Sequence, residues 1–285
     1  MPIRVYKPTS AGRRNASVNM HVEVTKTRPE QSLLVPIPKT GGRNNQGKIT
    51  ARGIGGGVKR RLRKIDFKRK DRDGIVGTVI GVEYDPNRSC HIALIEYADK
   101  VRRYIPCPAG LTDGNQVECS STGPVEPSPG NAMPLQFIPT GLDVHCVELK
   151  PGRGAQMCRS AGTYARLTNK EGGYATLVLP SGEMRMVPLA CRATIGQVGN
   201  ADHRLRMLGK AGLSRLLGIR PKTRGIAKSH HAHPLGGGSG RSKGNRPPCG
   251  PTGVHAKGGN TRNPRKHSGA LIIRRRVSKR YGLKK

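Results

Sequence analysis

The chain predicts a mainly β protein: two consecutive small barrels carrying long, irregular, basic extensions. Charge is the first observation behind this. Residues 1–73 hold 19 Lys+Arg against 5 Asp+Glu (+14), residues 74–195 hold 11 of each, and residues 196–285 hold 22 against one acid, Asp202 (+21). The neutral middle can compact without the self-repulsion that would oppose folding the whole +35 chain as one isolated globule. Secondly, the middle is written in short β-branched runs separated by turn residues. Thirdly, aromatics are only 3 % of the chain, with Phe67, Phe137, seven Tyr and no Trp. Large cores are therefore out of reach, and small barrels packed with Val, Ile and Leu fit.

Residues 1–73 read as an irregular arm. Pro2, Pro8, Pro29, Pro36 and Pro38 interrupt any helix. Gly41-Gly42-Arg43-Asn44-Asn45 and Gly53-Ile54-Gly55-Gly56-Gly57 allow close backbone approach to another surface. Strands are predicted over 75–84, 90–97 and 101–105, with Asp85-Pro86-Asn87-Arg88 as a turn. Residues 120–139, rich in Pro, Gly and Ser, read as an inter-domain linker. A second set of strands is predicted over 143–149, 155–159, 163–167, 174–179 and 183–189, the last two joined through Pro180-Ser181-Gly182. From Gly196 apolar periodicity fades, leaving 202–208 and 213–217 as short helices.

A chain this cationic needs an anionic partner. Membrane-surface helices would require Trp, Phe or Leu along one face, and the Gly/Pro/Asn-rich flanks cannot supply it. No run approaches 18 apolar residues, and residues 1–10 lack the apolar core of a secretory signal. Nucleic acid is the expected partner, with no membrane. The seven cysteines are scattered and never spaced C-x-x-C, which argues against a disulfide framework or zinc knuckle and for reduced, buried thiols.

Several constellations invite chemistry. His230, His231 and His233 with Cys249 resemble zinc ligands in kind. No second close pair completes the set, so no metal is expected. His233 as a general base lacks an orienting carboxylate, since Asp202 is the only acid in the last 90 residues. No catalytic residue is assigned. Neither glycine run matches a phosphate-binding nucleotide loop. Their expected use is close approach of backbone N–H groups to phosphate and sugar. Arg52, Arg60, Arg61, Arg63, Lys68 and Arg69 in one flank, and Arg274, Arg275 and Arg276 in the other, read as phosphate binders by composition. Arg88 and Arg159 differ in kind, each a cation at a turn or strand edge of the neutral body; RNA contact and ordinary surface Arg are equal readings. Sparse aromatics disfavour the sheet-type mode that stacks bases on exposed rings, and favour recognition of shape and backbone.

Read in order, the segments resemble one family. They are Tyr6-Lys7-Pro8-Thr9-Ser10-Ala11-Gly12-Arg13-Arg14, Gly41 to Asn45, Gly55-Gly56-Gly57, Asp66-Phe67-Lys68-Arg69 and Glu83 to Arg88. Arg159-Ser160-Ala161-Gly162-Thr163, Cys191-Arg192-Ala193-Thr194, Gly209-Lys210-Ala211-Gly212, Arg220-Pro221 and His233 to Gly238 follow. This is similar to the ribosomal protein L-two family of the large subunit in its bacterial form, across nearly the whole chain. The resemblance implies an OB-like barrel at 74–124 and an SH3-like barrel at 125–195, between extensions 1–73 and 196–285 threaded into ribosomal RNA. It implies primary binding of large-subunit rRNA, with contact to small-subunit rRNA across the subunit interface and to other ribosomal proteins. Support of subunit association, indirect contact with transfer RNA and a place near the peptidyl transferase centre are also implied. The expected compartment is the bacterial cytoplasm, with an organellar matrix as the alternative. No cofactor is expected, Mg2+ entering only with bound rRNA.

Residues expected at RNA are Arg13, Arg14, Arg43, Asn44, Asn45, Arg52, Gly55, Gly56, Gly57, Arg60, Arg61, Lys68 and Arg69. Lys210, Arg220, His233, Gly236, Gly237, Gly238, Arg241, Arg274, Arg275 and Arg276 follow in the second flank. Arg88 and Arg159 match motif positions of the two barrels, which turns both toward RNA contact. His233 matches a family histidine once proposed to take part in peptide-bond formation. Here the family's Asp-His-Pro-His-Gly-Gly-Gly pattern reads Ala232-His233-Pro234-Leu235-Gly236, and Ser239 replaces the acid that often follows. A relay needing that Asp or second His cannot operate. Structural RNA binding is therefore the leading reading, with assistance of peptidyl transfer by His233 and a free RNA chaperone as its rivals.

Overall fold

Strands form where β-branched residues alternate, and end where backbone geometry forbids pairing. The computed structural model of the chain describes residues 2–239, 246–257 and 262–277. These residues pack as two units: residues 1–37 with 59–210 and 270–285, and residues 38–58 with 211–269.

In the first unit, β1 (Ile3–Val5) and β2 (Ser17–Asn19) form one antiparallel ribbon, β3 (Leu34–Pro36) and β4 (Arg61–Arg63) another. A four-stranded sheet follows, made of β5 (Gly77–Glu83), β6 (Ile92–Tyr97), β7 (Arg102–Pro106) and β8 (Gln116–Val117), ordered β7-β6-β5-β8. The central β6 is apolar on both faces. One face, with Ala93 and Ile95, closes on Val79, Val82, Ile105, Leu111 and Val117. The opposite face, with Ile92 and Leu94, packs with Tyr104 against Leu33 and Ile65. The N-terminal flank is thus not simply an arm, because it covers a sheet face that would otherwise meet water. Gly77 lets β5 approach β6, as a Cβ there would lie 2.4 Å from Ile95 Cγ2.

The second sheet has seven strands: β9 (Ala132–Pro134), β10 (Asp143–His145), β11 (Ala165–Glu171), β12 (Tyr174–Val178), β13 (Met184–Pro188), β14 (Arg192–Ile195) and β15 (Ile272–Arg274). Their order is β15-β13-β12-β11-β10-β14-β9, all antiparallel. Its core is Met133, Leu135, Ile138, Val144, Val147, Ala165, Leu167, Leu177, Val187 and Ile195, among others. The mainly β class with two curled sheets is the class the sequence predicted.

Three expectations are corrected. Residues 120–139 are not a bare linker: their apolar residues build β9 and part of the core, and Pro134 is tolerated because β9 is an edge strand. The strand expected at 155–159 is a single bridge, Met157 with Val147, and β10 stops at His145. Cys146 and Cys158 both take left-handed φ, 49° and 52°, which ends extended pairing on each side. The basic C-terminal run is partly sheet, since β15 adds to the edge at β13 and carries Arg274. The helices expected from 202 and 213 occur as a 3-10 turn, Ala201–Leu205, and a one-and-a-half-turn helix, α1 (Ala211–Leu216).

The second unit is a backbone zipper. Gly55 N–H donates to Gly218 O (2.9 Å), Val58 N–H to Leu216 O (3.0 Å) and Arg220 N–H to Gly53 O (2.9 Å). Gly57, at φ 80°, sits so close that a Cβ would lie 2.9 Å from Gly218 N. His233 is the one buried residue among the described residues of this unit.

Candidate nucleic-acid interface

Within the first unit, residues 64–71 form the floor of an open cleft of about 800 Å³. An Asp at the start of a turn accepts from the backbone two and three residues on. Asp66 Oδ1 does so, taking Lys68 N–H (3.0 Å) and Arg69 N–H (2.8 Å). Ala155 N–H donates to Phe67 O at 2.9 Å, tying the floor to the second barrel. From below, Arg192 donates to Lys68 O, and its Nη1 reaches Asp73 Oδ1 (3.3 Å) and Ser121 Oγ (3.2 Å). The floor is therefore held by hydrogen bonds from several elements rather than left as a loop.

Phe67 is where the two barrels' distinctive arginines meet. The Arg88 guanidinium carbon lies 5.8 Å from the ring centroid and that of Arg159 5.0 Å, within cation–π range. Arg88 is also paired with buried Asp85 (Nε to Oδ2 2.6 Å), which fixes its direction. Arg159 has no carboxylate or hydrogen-bond partner among the described residues, so its charge is free for a ligand. The cleft is lined by Lys64, Lys68, Lys70, Arg103, Arg153 and Arg159 against two acids, Asp66 and Asp71. Asp66 is spent on its turn and Asp71 on Arg103 (2.7 Å), leaving a surface with an excess of positive charge.

The other expected residues divide. Arg13 and Arg14 are exposed on the turn between β1 and β2, with Arg13 over Tyr6 (5.7 Å), and Lys210 packs on Gly12 of that turn. Arg60 donates to Pro86 O (3.2 Å) and Arg61 to Gln31 Oε1 (3.4 Å), so both brace neighbouring chain while remaining exposed. Arg69 is corrected: only 7 % exposed, it donates to Gly130 O (2.8 Å) and acts as an internal strut. Arg274, Arg275 and Arg276 are exposed. In the second unit Arg43, Asn44, Asn45, Arg52 and Arg220 are exposed. There Asn44 Oδ1 organises its own loop by accepting Gln46 and Lys48 N–H. Gly55 and Gly57 serve the zipper, while Gly56 faces open space. Gly236 and Gly237 pack on the backbone of 228–230, and Gly238 holds φ 105°. Arg241 lies outside the described residues.

His233 is 8 % exposed, its ring filling the space over Gly225. Its Nδ1 accepts Leu235 N–H at 3.1 Å. Among the described residues no three His, Cys, Asp or Glu converge as metal ligands, and no helix is long and apolar enough to cross a membrane. Buried thiols are pushed up, Cys107 and Cys146 to about 12, by desolvation.

Residues 30–119 match the family model described as Ribosomal Proteins L2, RNA binding N-terminal domain, and residues 128–253 the one for Ribosomal Proteins L2, C-terminal domain. The chain belongs to the ribosomal L2 family. A relative called large ribosomal subunit protein uL2 in Rhodopirellula baltica is 56 % identical over 283 residues, 99 % of this chain and 98 % of its own. Another of the same name, from Salinibacter ruber, is 53 % identical over 283 residues, 99 % of each chain. L2 membership makes the chain an RNA-binding constituent of the large ribosomal subunit. Sequence reading missed Phe67 as the meeting point and Arg192 as the strut. Both stood inside quoted L2 motifs, but only the fold brings them to one floor.

Proposed function

We propose that the Phe67 cleft is the surface on which this L2 chain docks to a structured segment of large-subunit rRNA, with its basic extensions following the RNA outward. The observation that carries it is convergence: one arginine from each barrel lies over the ring of Phe67, itself part of the wall of a cleft lined by six cations, Arg159 among them. Each barrel alone presents one ordinary surface arginine; together they make a rigid, doubly charged edge. The barrels at 74–124 and 125–195 place the cleft, and contacts to small-subunit rRNA and neighbouring proteins fall to the extensions at 1–73 and 196–285. Support of subunit association and transfer-RNA binding near the peptidyl transferase centre rests on the L2 motifs, as does assignment to a bacterial cytoplasm. Mg2+ belongs to the RNA in this reading, and the chain needs no cofactor of its own.

Arg159→Ala is the clean test, because Arg88→Ala would also strand the buried Asp85 carboxylate. Losing one charge-assisted contact should weaken binding to a large-subunit rRNA transcript by roughly 1–3 kcal/mol. The slope of log affinity against log salt should become shallower by about one. Unchanged affinity and slope would move the interface elsewhere.

The His233 side chain serves here as a packing element and not as a base. Its buried ring has Nδ1 occupied by Leu235, and no carboxylate pairs with it. His233→Gln in assembled ribosomes should leave the peptide-bond step at its normal rate. A thousand-fold slower step with normal assembly would restore the catalytic reading.

A further inference from the structure

We propose that Tyr84 is a single-base stacking platform: a rigid, outward-facing phenol that takes one unpaired nucleobase of the bound RNA. This rests on the RNA-docking reading and adds to it a site of a different chemical class, a π-face in place of a phosphate cradle. Composition argued against stacking because rings are few, yet one ring in the right setting is enough to hold one base.

The setting begins just past the end of β5. Glu83 and Asp85 on either side of Tyr84 are buried, 2 % and 0 % exposed, so the tyrosine is driven outward and is 47 % exposed. Both neighbours are locked. Glu83 accepts from Tyr104 Oη (2.7 Å) and pairs with Lys26 (3.3 Å). Asp85 accepts from Asn87 N–H (2.8 Å) and holds Arg88 (2.6 Å). The backbone that presents the ring is therefore fixed on both sides, and little freedom remains to be lost when a base arrives.

The ring itself is buttressed. His21 meets it edge-on, centroids 4.9 Å apart at 61°, which braces the phenol and leaves ring area open to solvent. His21 is in turn held by a chain of polar contacts running into the fold. Its Nδ1 lies 3.0 Å from His91 Nε2, and His91 Nδ1 lies 3.1 Å from Glu23 Oε2. Glu23 Oε2 accepts Asn200 N–H (3.3 Å), and Asn200 bridges Asn19 (2.6 Å) and Ser89 O (2.7 Å). His21 adopts left-handed φ, 50°, and donates its N–H to Asn19 Oδ1 at 2.9 Å. Burial first, then His91, Arg206 and His203, holds its pKa below the ordinary histidine range. An exposed aromatic face held in place is what stacks a single-stranded base. Tyr84 also opens the same turn that ends in Arg88, so it is continuous with the cleft's arginine edge. Among the described residues the other exposed tyrosines, Tyr164 and Tyr174, have no such polar chain behind them.

The test uses the full chain and a large-subunit rRNA transcript, with the wild type, Tyr84→Phe and Tyr84→Ala. Removing the ring should weaken binding by roughly ten- to a hundred-fold at every salt concentration, with the salt slope unchanged, because no phosphate contact is lost. Tyr84→Phe should bind within about two-fold of wild type, since the π-face remains. Chemical probing should find one unpaired base protected by wild type and Tyr84→Phe and reactive with Tyr84→Ala. Equal binding of all three, a shallower slope for Tyr84→Ala, or a loss shared by Tyr84→Phe would each overturn the platform. Thermal unfolding of Tyr84→Ala near that of wild type assigns any loss to contact, not folding. Failure of the docking reading looks different: wild type itself does not bind, or Arg159→Ala has no effect.

Discussion

The two units solve the problem of positive charge in opposite ways. The first unit holds all 17 Asp and Glu with 36 Lys and Arg, while the second holds 16 Lys and Arg and no acid at all. In the first unit the acids are structural parts: Asp66 makes the cleft floor, Asp85 aims Arg88, and Glu148 accepts Gly152, Gly154 and Arg192 N–H. Apolar cores close around them. The second unit holds its shape through backbone N–H groups meeting carbonyls at glycines. With a single buried side chain among its described residues, that part of the unit has almost no hydrophobic term to offset chain entropy. Acids let a cationic protein aim its arginines; glycines let backbone pack on backbone where no acid offsets the charge.

The largest effect expected from this contrast is at Arg192. Its guanidinium is the buried junction between cleft floor, Asp73 and Ser121. Arg192→Ala leaves the Lys68 carbonyl without its donor and takes one donor each from the Arg69 carbonyl and the Asp73 carboxylate, which keep Cys119 Sγ and Ser121 N–H, a loss of about 3 kcal/mol. The urea midpoint of the full chain should fall accordingly, and affinity for rRNA with it. A midpoint unchanged by Arg192→Ala would mean that the floor is held without its strut.

That junction also marks where sequence stops being legible. Strands such as β5 to β7 and β11 to β13 declare themselves, because β-branched residues between turn residues can pair in few other ways. Residues 120–139 hid β9 because Pro and Gly are equally at home in a linker and on a sheet edge. Arg69 and Arg61 look alike in a basic run, yet one is an internal strut and the other an exposed cation. Only packing decides between them. Arg88 and Arg159 stood out as isolated cations in a neutral body, but their meeting on Phe67 depends on contacts some ninety residues apart in sequence.

Acid should separate the units next. His145, buried in the second barrel, donates from Nδ1 to Gly196 O (2.9 Å), while its buried Nε2 has no hydrogen-bond partner among the described residues. Burial first, and the nearby Arg69 charge, hold its pKa down to about 4 from the ordinary 6.5. Between those values the unfolded chain takes up a proton that the native ring refuses, so protons favour unfolding. Its stabilising contribution is complete above pH 6.5 and disappears as pH falls toward 4. The loss between about pH 7.5 and 5 should be about 2 kcal/mol. His21 and His203, also held low by burial first, add in the same direction. His145→Asn keeps a donor for Gly196 but has no titrating ring, and should flatten the acid limb measured by urea unfolding. An equally steep limb in that variant would assign the acid sensitivity to other groups.

The smallest expected effect on stability belongs to Gly236, and it is the sharpest probe of independence between the units. A Cβ there would lie 2.3 Å from Ser229 O and 2.5 Å from Lys228 O, both backbone atoms that cannot rotate away. Gly236→Ala must therefore open the 228–237 turn. Similar crowding inside a packed core costs about 1–3 kcal/mol, because neighbours on every side resist. Here the surrounding side chains are exposed or half-buried, apart from His233, and can move into solvent. Unfolding of the barrels should shift by less than about 0.5 kcal/mol, as for substitutions away from a core. Binding to rRNA should weaken in the same variant, because the altered backbone no longer matches the surface it lies against. A fall in the unfolding midpoint comparable to that of Arg192→Ala would show that the zipper and the barrels melt as one cooperative body, and the contrast between them would then be one of composition only.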